Sequence, residues 1–423
     1  MESVCTPKAY RGFKSRPLRH IFSPCVMRMM LAKKPLVRIF VREPVPTSTR
    51  RADTANKDSN TPECLFYVFQ RVLERRQANC LQGVRHSGMK NGLPRILIVR
   101  LSAIGDVVRV LPALHTLRDT FPNAQLDWAV EKKSADLIHD HPCLDHVLVF
   151  ERPPQKWAAV KDFIGFCRRV RANRYDILLD FHGIFKTGVI CAFSGAPDRY
   201  GFERPRAQEL SYLFTNHKVR LPSPHLNRVE ENLLLCDALC PHRASVEAMV
   251  YVPYEIQDEI NDFYDSMFDG GKKVVAMHVP VDRPEKQWPV EHFSRLSDLL
   301  LADGRFEVML TWGPGQFEVV EEVLRNSRRR PSVAPESPDL KHYAWLIHRA
   351  DLYFGGDTGP MHIAATMGTP VVAVFGGTDP RKHAPYRRPC EILYVDDPQL
   401  PPAERLRRVT PEMAYDACVR LIS

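Results

Sequence analysis

Apolar residues along this chain fall into short runs separated by stretches in which they recur at helical spacing. An apolar run at 96–99 is followed by a helical pattern over 107–120, then by further runs at 126–130 and 177–180. A second series of the same kind begins near Lys272, with runs at 274–278, 307–310, 352–354 and 371–375 and helical patterns at 290–301 and 316–325. Short runs without alternation suit strands covered on both faces, and the 3.6-residue periodicity between them suits the helices that do the covering. Such alternation predicts a parallel sheet with helices on both sides. Its repetition predicts an α/β chain built from two Rossmann-like halves.

Between the two series, residues 221–269 are helical and loop-rich, punctuated by Pro222, Pro224, Pro241 and Pro253, and are expected to contain the linker. The last segment, 410–422, is an amphipathic pattern after the Pro-rich stretch 398–402, and is expected to pack back on the first half. Residues 1–90 mix Arg, Pro, Ser and Thr without sustained periodicity, apart from a short amphipathic pattern at 64–76, and are expected to be a mostly disordered extension. Met89 stands just before the first convincing strand and is a candidate for the true start of translation. The expected division is therefore 1–90 as a basic extension, 91–250 and 251–400 as two Rossmann-like domains, and 401–423 as a C-terminal helix.

Charge alters this picture in one place. The formal net charge of +9 invites a nucleic-acid or membrane reading, but residues 1–90 hold 18 Lys+Arg and 6 Asp+Glu, leaving 41 and 44 in the remainder. The basic excess belongs to the extension, and the folded part is close to neutral, which argues against a phosphate-backbone stripe on it. The 11 cysteines are scattered without a CxxC pair or zinc-like spacing, which fits a reducing, cytoplasmic compartment. No apolar run approaches the roughly 20 residues needed to span a bilayer.

Candidate chemistry lies at the strand ends. Gly355-Gly356-Asp357-Thr358-Gly359-Pro360 runs from strand to glycine turn to helix, with Pro360 suited to the first helical position. The exposed N–H groups and positive dipole end of such a helix suit a phosphate; an ordinary capped turn would satisfy the same residues, so the neighbours must decide. His362 stands in the helix's first turn, and the next strand ends in a second small-residue turn, Gly376-Gly377-Thr378-Asp379-Pro380. Lys286, before Trp288-Pro289, is placed to neutralise a diphosphate or is a surface charge. Glu318 is placed to reach a ribose hydroxyl, with Trp312 or Phe317 near a base, or these are loop and core residues. In the first half, Arg100-Leu101-Ser102-Ala103-Ile104-Gly105-Asp106 is again strand, glycine turn, helix, but with a carboxylate at the helix start. Asp106 would repel phosphate and could accept a proton from a hydroxyl, or simply favour the helix N-terminus. Lys186, Arg199, Arg204 and Arg206 supply cations that suit an anionic acceptor, or a solvated basic face. No Asp-x-Asp triplet occurs, so a diphosphate-bridging metal is not indicated, and no cofactor is expected.

These motifs, in this order, resemble the family 9 glycosyltransferases, the lipopolysaccharide heptosyltransferases of the GT-B fold. The resemblance runs from Pro94 to the C-terminus and is carried by Ile98-Val99-Arg100-Leu101-Ser102-Ala103-Ile104-Gly105-Asp106-Val107, Lys286-Gln287-Trp288-Pro289, Asp357-Thr358-Gly359-Pro360-Met361-His362 and Gly376-Gly377-Thr378-Asp379-Pro380. Asp127-Trp128-Ala129-Val130-Glu131 and the Thr378-Asp379-Pro380 ending are more similar to the heptosyltransferase I branch than to heptosyltransferase II. The chain departs from the family at Val279-Pro280-Val281, where small hydroxyl residues are usual, and the extension has no counterpart.

The resemblance implies two Rossmann-like domains facing a central cleft, the first for the acceptor and the second for the nucleotide sugar. It implies an ADP-L-glycero-D-manno-heptose donor, a Kdo- or heptose-bearing lipid A acceptor, and inversion without metal. Asp106 is then the general base; Lys286, Glu318, Asp357, Thr358, Gly359 and His362 bind the donor; Ser102, Gly105, Lys186 and Arg206 face the acceptor. It also implies a cytoplasmic monomer touching the inner membrane peripherally and binding no nucleic acid. Alternatives are a family 9 enzyme with another nucleotide sugar or acceptor, a nucleotide-sugar epimerase of the same architecture, and a non-enzymatic nucleic-acid binder using the basic extension.

Overall fold

The computed structural model describes residues 93–151, 156–244, 248–386 and 388–422. The expectations for the extension, for the pattern at 64–76 and for Met89 lie outside these residues.

The first half runs β1 (Arg95–Val99), α1 (Ile104–Val108), α2 (Leu111–Thr120), β2 (Gln125–Glu131), α3 (Lys132–Ala135), β3 (His146–Phe150), α4 (Lys156–Ala172), β4 (Ile177–Asp180), α5 (Phe185–Ser194), β5 (Asp198–Phe202) and β6 (His217–Val219). After α6 (Arg228–Asp237) and α7 (Tyr254–Met267), the second half runs β7 (Lys273–His278), α8 (Val290–Asp303), β8 (Phe306–Thr311), α9 (Phe317–Asn326), β9 (Ser332–Val333), α10 (Leu340–Arg349), β10 (Leu352–Gly356), α11 (Gly359–Thr366), β11 (Val371–Phe375), α12 (Pro380–His383), β12 (Cys390–Tyr394), α13 (Pro402–Arg408) and α14 (Pro411–Ile422).

Each half is a six-stranded sheet, ordered β3-β2-β1-β4-β5-β6 and β12-β11-β10-β7-β8-β9, with every pairing parallel. The two orders are the same doubly wound topology used twice. The apolar runs follow from it: Ile96 and Ile98 of β1 pack under α1 and α2 with Val107, Leu111 and Leu114, while Leu97 and Val99 pack on the other side with Phe166, Val170 and Ile190. A doubly wound sheet binds ligands beyond its carboxyl edge where the strand order reverses. Those points are the ends of β1 and β4 in the first half and of β7 and β10 in the second.

The structure differs from the sequence reading in three respects. The pattern at 107–120 is two helices, α1 and α2, with Pro112 in the first turn of the second; proline has no N–H to continue a preceding helix but suits a helix start. The C-terminal helix α14 packs on α8 and the second sheet, not on the first half: Ala414, Ala417 and Cys418 are buried with Val372, Val374 and Leu393. The chain leaves β12 at the edge of the second sheet, and α14 covers the face beside it. Finally, α3, β3, α4, α5, β5, β6, β9, α10, α12, β12 and α13 have no counterpart in the sequence expectations; β6 and β9 are only 3 and 2 residues long.

Candidate active site

The turn after β1 carries Arg100 and leads into α1, where Asp106 lies in the first turn. Arg109 follows one turn later, close enough for a side-chain pair on the same helix face. Its Nη2 donates to Asp106 Oδ1 at 2.5 Å, and Arg100 pairs with the other carboxylate oxygen. Burial opposes ionisation of Asp106, but the two guanidiniums outweigh it and hold the carboxyl well below the usual range. Arg100 also donates through Nη1 to the Phe181 carbonyl at 2.9 Å, which ties the ends of β1 and β4 together. Its Nε, like Nδ1 of His182 in the neighbouring turn, is buried without a hydrogen-bond partner.

The turn after β4 is held by Asp180, whose Oδ1 accepts from the N–H groups of His182 and Gly183 at 3.0 and 3.1 Å and whose Oδ2 accepts from Thr187 Oγ1 at 2.9 Å. Arg206 braces the same turn from outside, donating to the carbonyls of Phe181 and His182 and, through Nε, to Glu231. Its guanidinium is therefore already engaged by protein groups. Lys186 pairs with Glu131 at 2.8 Å and retains partial exposure. Ser102 is partly buried and Gly105 fully so.

In the second half, Trp288 fixes the segment before α8. Its ring is buried against Phe293 and Phe354, and its indole N–H donates to the Val409 carbonyl at 2.9 Å. Two residues earlier, Lys286 donates through Nζ to Asp357, to Oδ2 at 2.9 Å and to the carbonyl at 3.1 Å. Thr378, from the turn after β11, donates to the same Oδ2 at 2.7 Å. Burial works against the Asp357 charge, yet Lys286, His362 and Thr378 together lower its carboxyl below the ordinary value. Thr358 is the N-cap of α11 and its side chain makes no capping bond, so the N–H groups opening that helix remain free of a side-chain cap.

The two halves meet at these helix starts. A Cβ on Gly105 would stand 2.6 Å from Cδ2 of His362, and one on Gly359 would stand 3.0 Å from Cγ2 of Ile104. Only glycines permit this approach, so α1 and α11 present their N-termini to one region. His362 is buried, and burial lowers its pKa to about 3, with Arg109 acting in the same direction; it is a neutral imidazole at neutral pH. His383, on α12, lies with Nδ1 3.2 Å from Nη1 of Arg109. Further contacts join the halves: Asn227 donates to the Ala384 carbonyl, Tyr386 hydroxyl to Glu230, and Lys341 to the His139 carbonyl.

Asp357, His362 and His383 each bring one possible ligand atom within 4.8 Å of the others. Lys286 and Arg109 already bear on two of the three, however, and a site flanked by cations suits an anion better than a metal ion. The structure thus brings Asp106, Gly105, Lys286, Asp357, Thr358, Gly359 and His362 to one cleft. Glu318 is exposed in the first turn of α9, and among the described residues no hydrogen bond or ion pair ties it to that group. Trp312 and Phe317 pack on one another at 4.9 Å, with the indole N–H donating to the Ala334 carbonyl.

Sequence reasoning missed Arg100, Arg109, His182 and His383 as site residues. Arg109 had a local signal, its spacing of three from Asp106. His383 had none, because its partner is 274 residues away.

A family model described as glycosyltransferase family 9 (heptosyltransferase) matches residues 164–412. The chain belongs to that family. It is a glycosyltransferase of the GT-B fold. It is 25% identical to the lipopolysaccharide core heptosyltransferase OpsX of Haemophilus influenzae over 71% of this chain and 84% of that protein. It is 26% identical to lipopolysaccharide heptosyltransferase 1 of Escherichia coli over 68% of this chain and 89% of that protein. Among solved structures, the E. coli heptosyltransferase WaaC, determined with ADP and with ADP-2-deoxy-2-fluoro heptose, superposes with a TM-score of 0.62 at 23% identity, covering 77% of this chain and 99% of that one. That likeness places the fold.

Proposed function

We propose that this family 9 glycosyltransferase moves a heptose from ADP-L-glycero-D-manno-heptose to a Kdo- or heptose-bearing lipid A core acceptor, with inversion at the anomeric carbon and without a metal. The observation that carries the reading is the convergence of a carboxylate at one helix start, Asp106, with an uncapped helix start and a lysine, Thr358-Gly359 and Lys286, across a contact that only glycines allow. The names of the relatives and the ADP-bearing WaaC structures support the sugar and the nucleotide.

In this mechanism the ADP diphosphate lies against the start of α11 and takes Lys286 as its counter-ion, with Thr358, Gly359 and His362 lining the leaving-group side. Preorganised donors at the point where charge develops are usually the largest contribution in such sites. Asp106 accepts the acceptor hydroxyl's proton. Two arginines make it a weak base, so the proton moves late, as the new glycosidic bond forms and ADP departs. Asp357 orients Lys286, and Glu318, in the first turn of α9 on the same half as the nucleotide, reaches the ribose. Ser102, Gly105 and Lys186 face the acceptor; Arg206 acts on it through the turn it braces and through its charge. The enzyme works as a monomer on the cytoplasmic face of the inner membrane.

The test is a transfer assay with purified protein, ADP-heptose and a Kdo-bearing lipid A precursor, followed by mass spectrometry of the glycolipid. Addition of one heptose with release of ADP, undiminished by EDTA, is expected. Absence of product with an active E. coli enzyme running alongside would overturn the substrate assignment and leave the family intact.

A further inference from the structure

Among the described residues ten large hydrophobic side chains are exposed, and six of them share one region of the first half: Val160 (53% exposed), Ile164 (46%), Phe185 (50%), Phe193 (57%), Leu210 (52%) and Leu213 (61%). They lie on α4, on α5 and at the short helical turn Ser211–Leu213, elements that pack side by side. Helix α5 is apolar on both sides. Thr187, Gly188, Ile190, Cys191 and Ser194 are buried, while Phe185, Val189, Ala192 and Phe193 recur at helical spacing on the outer face, where Phe185, Ala192 and Phe193 are exposed and Phe185 meets Phe214 edge to face. A helix apolar all round is ordinarily buried in protein or lipid, and clustered exposed apolar residues mark an interaction site rather than chance.

Charge selects the occupant. Residues 156–220 hold 12 Lys+Arg against 6 Asp+Glu, although residues 91–423 as a whole hold 41 against 44. Exposed Lys161, Arg168, Arg169 and Arg171 stand on α4, and Arg171 reaches α5, with Nη1 3.4 Å from the Phe193 carbonyl. Arg204 and Lys218 flank the Ser211–Leu213 turn, over the Tyr212 ring at 5.3 and 5.9 Å. A second copy of this chain would oppose one basic face to another. An anionic bilayer offers the complement to both features, an apolar interior beneath a negative surface.

We propose that the face formed by α4, α5 and the Ser211–Leu213 turn docks on an anionic lipid bilayer, its phenylalanines and leucines entering the interface and its arginines lying among the headgroups. The inference rests on the reading that the acceptor is a glycolipid. The geometry agrees with that reading: α5 begins at Phe185, directly after the turn bearing His182 and Gly183 at the edge of the cleft. An acceptor whose sugar occupies the cleft could keep its acyl chains in the membrane beside α5.

The full chain, with its basic extension, is sedimented with vesicles of phosphatidylethanolamine and phosphatidylglycerol and with vesicles of phosphatidylcholine alone. Wild type is expected to bind the anionic vesicles, and the Ile164→Asp/Phe193→Asp variant to bind them at least about tenfold more weakly, two interfacial side chains having been lost. A second variant, Arg168→Glu/Arg171→Glu, is expected to lose about fivefold or more per residue, and serves if the first does not fold. All four side chains are exposed, so thermal melting should be unchanged. Transfer to a water-soluble, deacylated acceptor should also be unchanged in both variants. Wild-type binding retained by both folded variants would overturn the docking surface, as would failure of wild type to bind, or a dimer in sedimentation equilibrium that the variants dissociate. Loss of transfer to the soluble acceptor in wild type would instead strike the substrate assignment, and vesicle binding would still be read independently.

Discussion

Arg109 of the first half and His383 of the second touch across the cleft, Nη1 to Nδ1 at 3.2 Å, while the other terminal nitrogen of Arg109 holds Asp106. One guanidinium therefore spans the proposed base and the opposite domain. Burial, reinforced by Arg109, lowers the His383 pKa, so its ring is neutral and accepts the bond. Removing that acceptor should loosen the closed arrangement without touching the nucleotide. His383→Ala is expected to lower kcat about tenfold, a hydrogen bond to a charged group contributing roughly 1.5–3 kcal/mol, with little change in donor KM. His383→Gln keeps an acceptor oxygen and should recover most of the rate. Equal loss in both variants would mean the contact has no positioning role.

Asp106 is the proposed general base. Asp106→Asn preserves shape and removes the base, and a loss of about 10²–10⁴ in kcat is expected. Because Arg100 and Arg109 hold the carboxyl far below its ordinary value against the effect of burial, it stays ionised wherever the protein is folded. The kcat–pH profile should accordingly lack an acid limb from this group. A limb near pH 5–6 that disappears in Asp106→Asn would contradict the pairing of Asp106 with Arg100 and Arg109.

Lys286 is shared between Asp357 and the proposed diphosphate. Lys286→Met should cost about 10²–10³ in kcat/KM for the donor, as removal of one preorganised donor does elsewhere. Lys286→Arg keeps the charge but not the compact ammonium that fits between Asp357 Oδ2 and its carbonyl, so it should fall between the two. Isothermal titration with ADP separates binding from rate: an unchanged Kd for ADP in Lys286→Met would exclude the counter-ion role.

What could be read in advance follows from where the physics is local. The runs at β1, β4, β7 and β10 are buried on both faces, so they stand out as unbroken apolar segments, and the residues just beyond them are found by position alone. Asp106, Lys286 and Asp357 stood out as candidates for that reason. The edge strands did not: β3 has a partly exposed pattern, and β6 and β9 are too short to show a period. Nor could the sequence show that Arg206 is spent on the Phe181 and His182 carbonyls, or that Arg109 meets His383, because those pairings arise only when distant strand ends are brought together. The placement of α14 failed because an amphipathic stripe says that a helix is covered, not by what.

Gly105 tests the meeting of the halves. In Gly105→Ala the new methyl would lie 2.6 Å from the His362 ring, which is itself buried and has little freedom to yield. The conflict lies between domains rather than within a core. The variant should therefore fold, with a melting temperature near wild type, while α1 and α11 are held apart and kcat drops at least about tenfold, since misplacement of about 1 Å can cost 10²-fold. Small-angle scattering in the presence of ADP should show a larger radius of gyration than wild type. A variant with full activity would show that this contact is not needed for turnover.

Stability should fall on acidification well before carboxylates titrate. Burial lowers the pKa of His115 to about 4 and of His278 to about 3, and both ring nitrogens of His115 are buried without a hydrogen-bond partner. In the unfolded chain these rings titrate near 6.5. Between that value and the folded pKa the unfolded state binds more protons, so each neutral ring contributes stability that is complete above about pH 6.5 and is lost as pH falls toward 4, with a slope approaching about 1.4 kcal/mol per pH unit. His115→Leu removes one such proton uptake together with two unpaired polar atoms. Urea midpoints measured from pH 7.5 to 4.5 should decline less steeply in this variant than in wild type, and at pH 5 the variant should be the more stable of the two. Parallel curves would show that His115 is not held neutral in the folded protein.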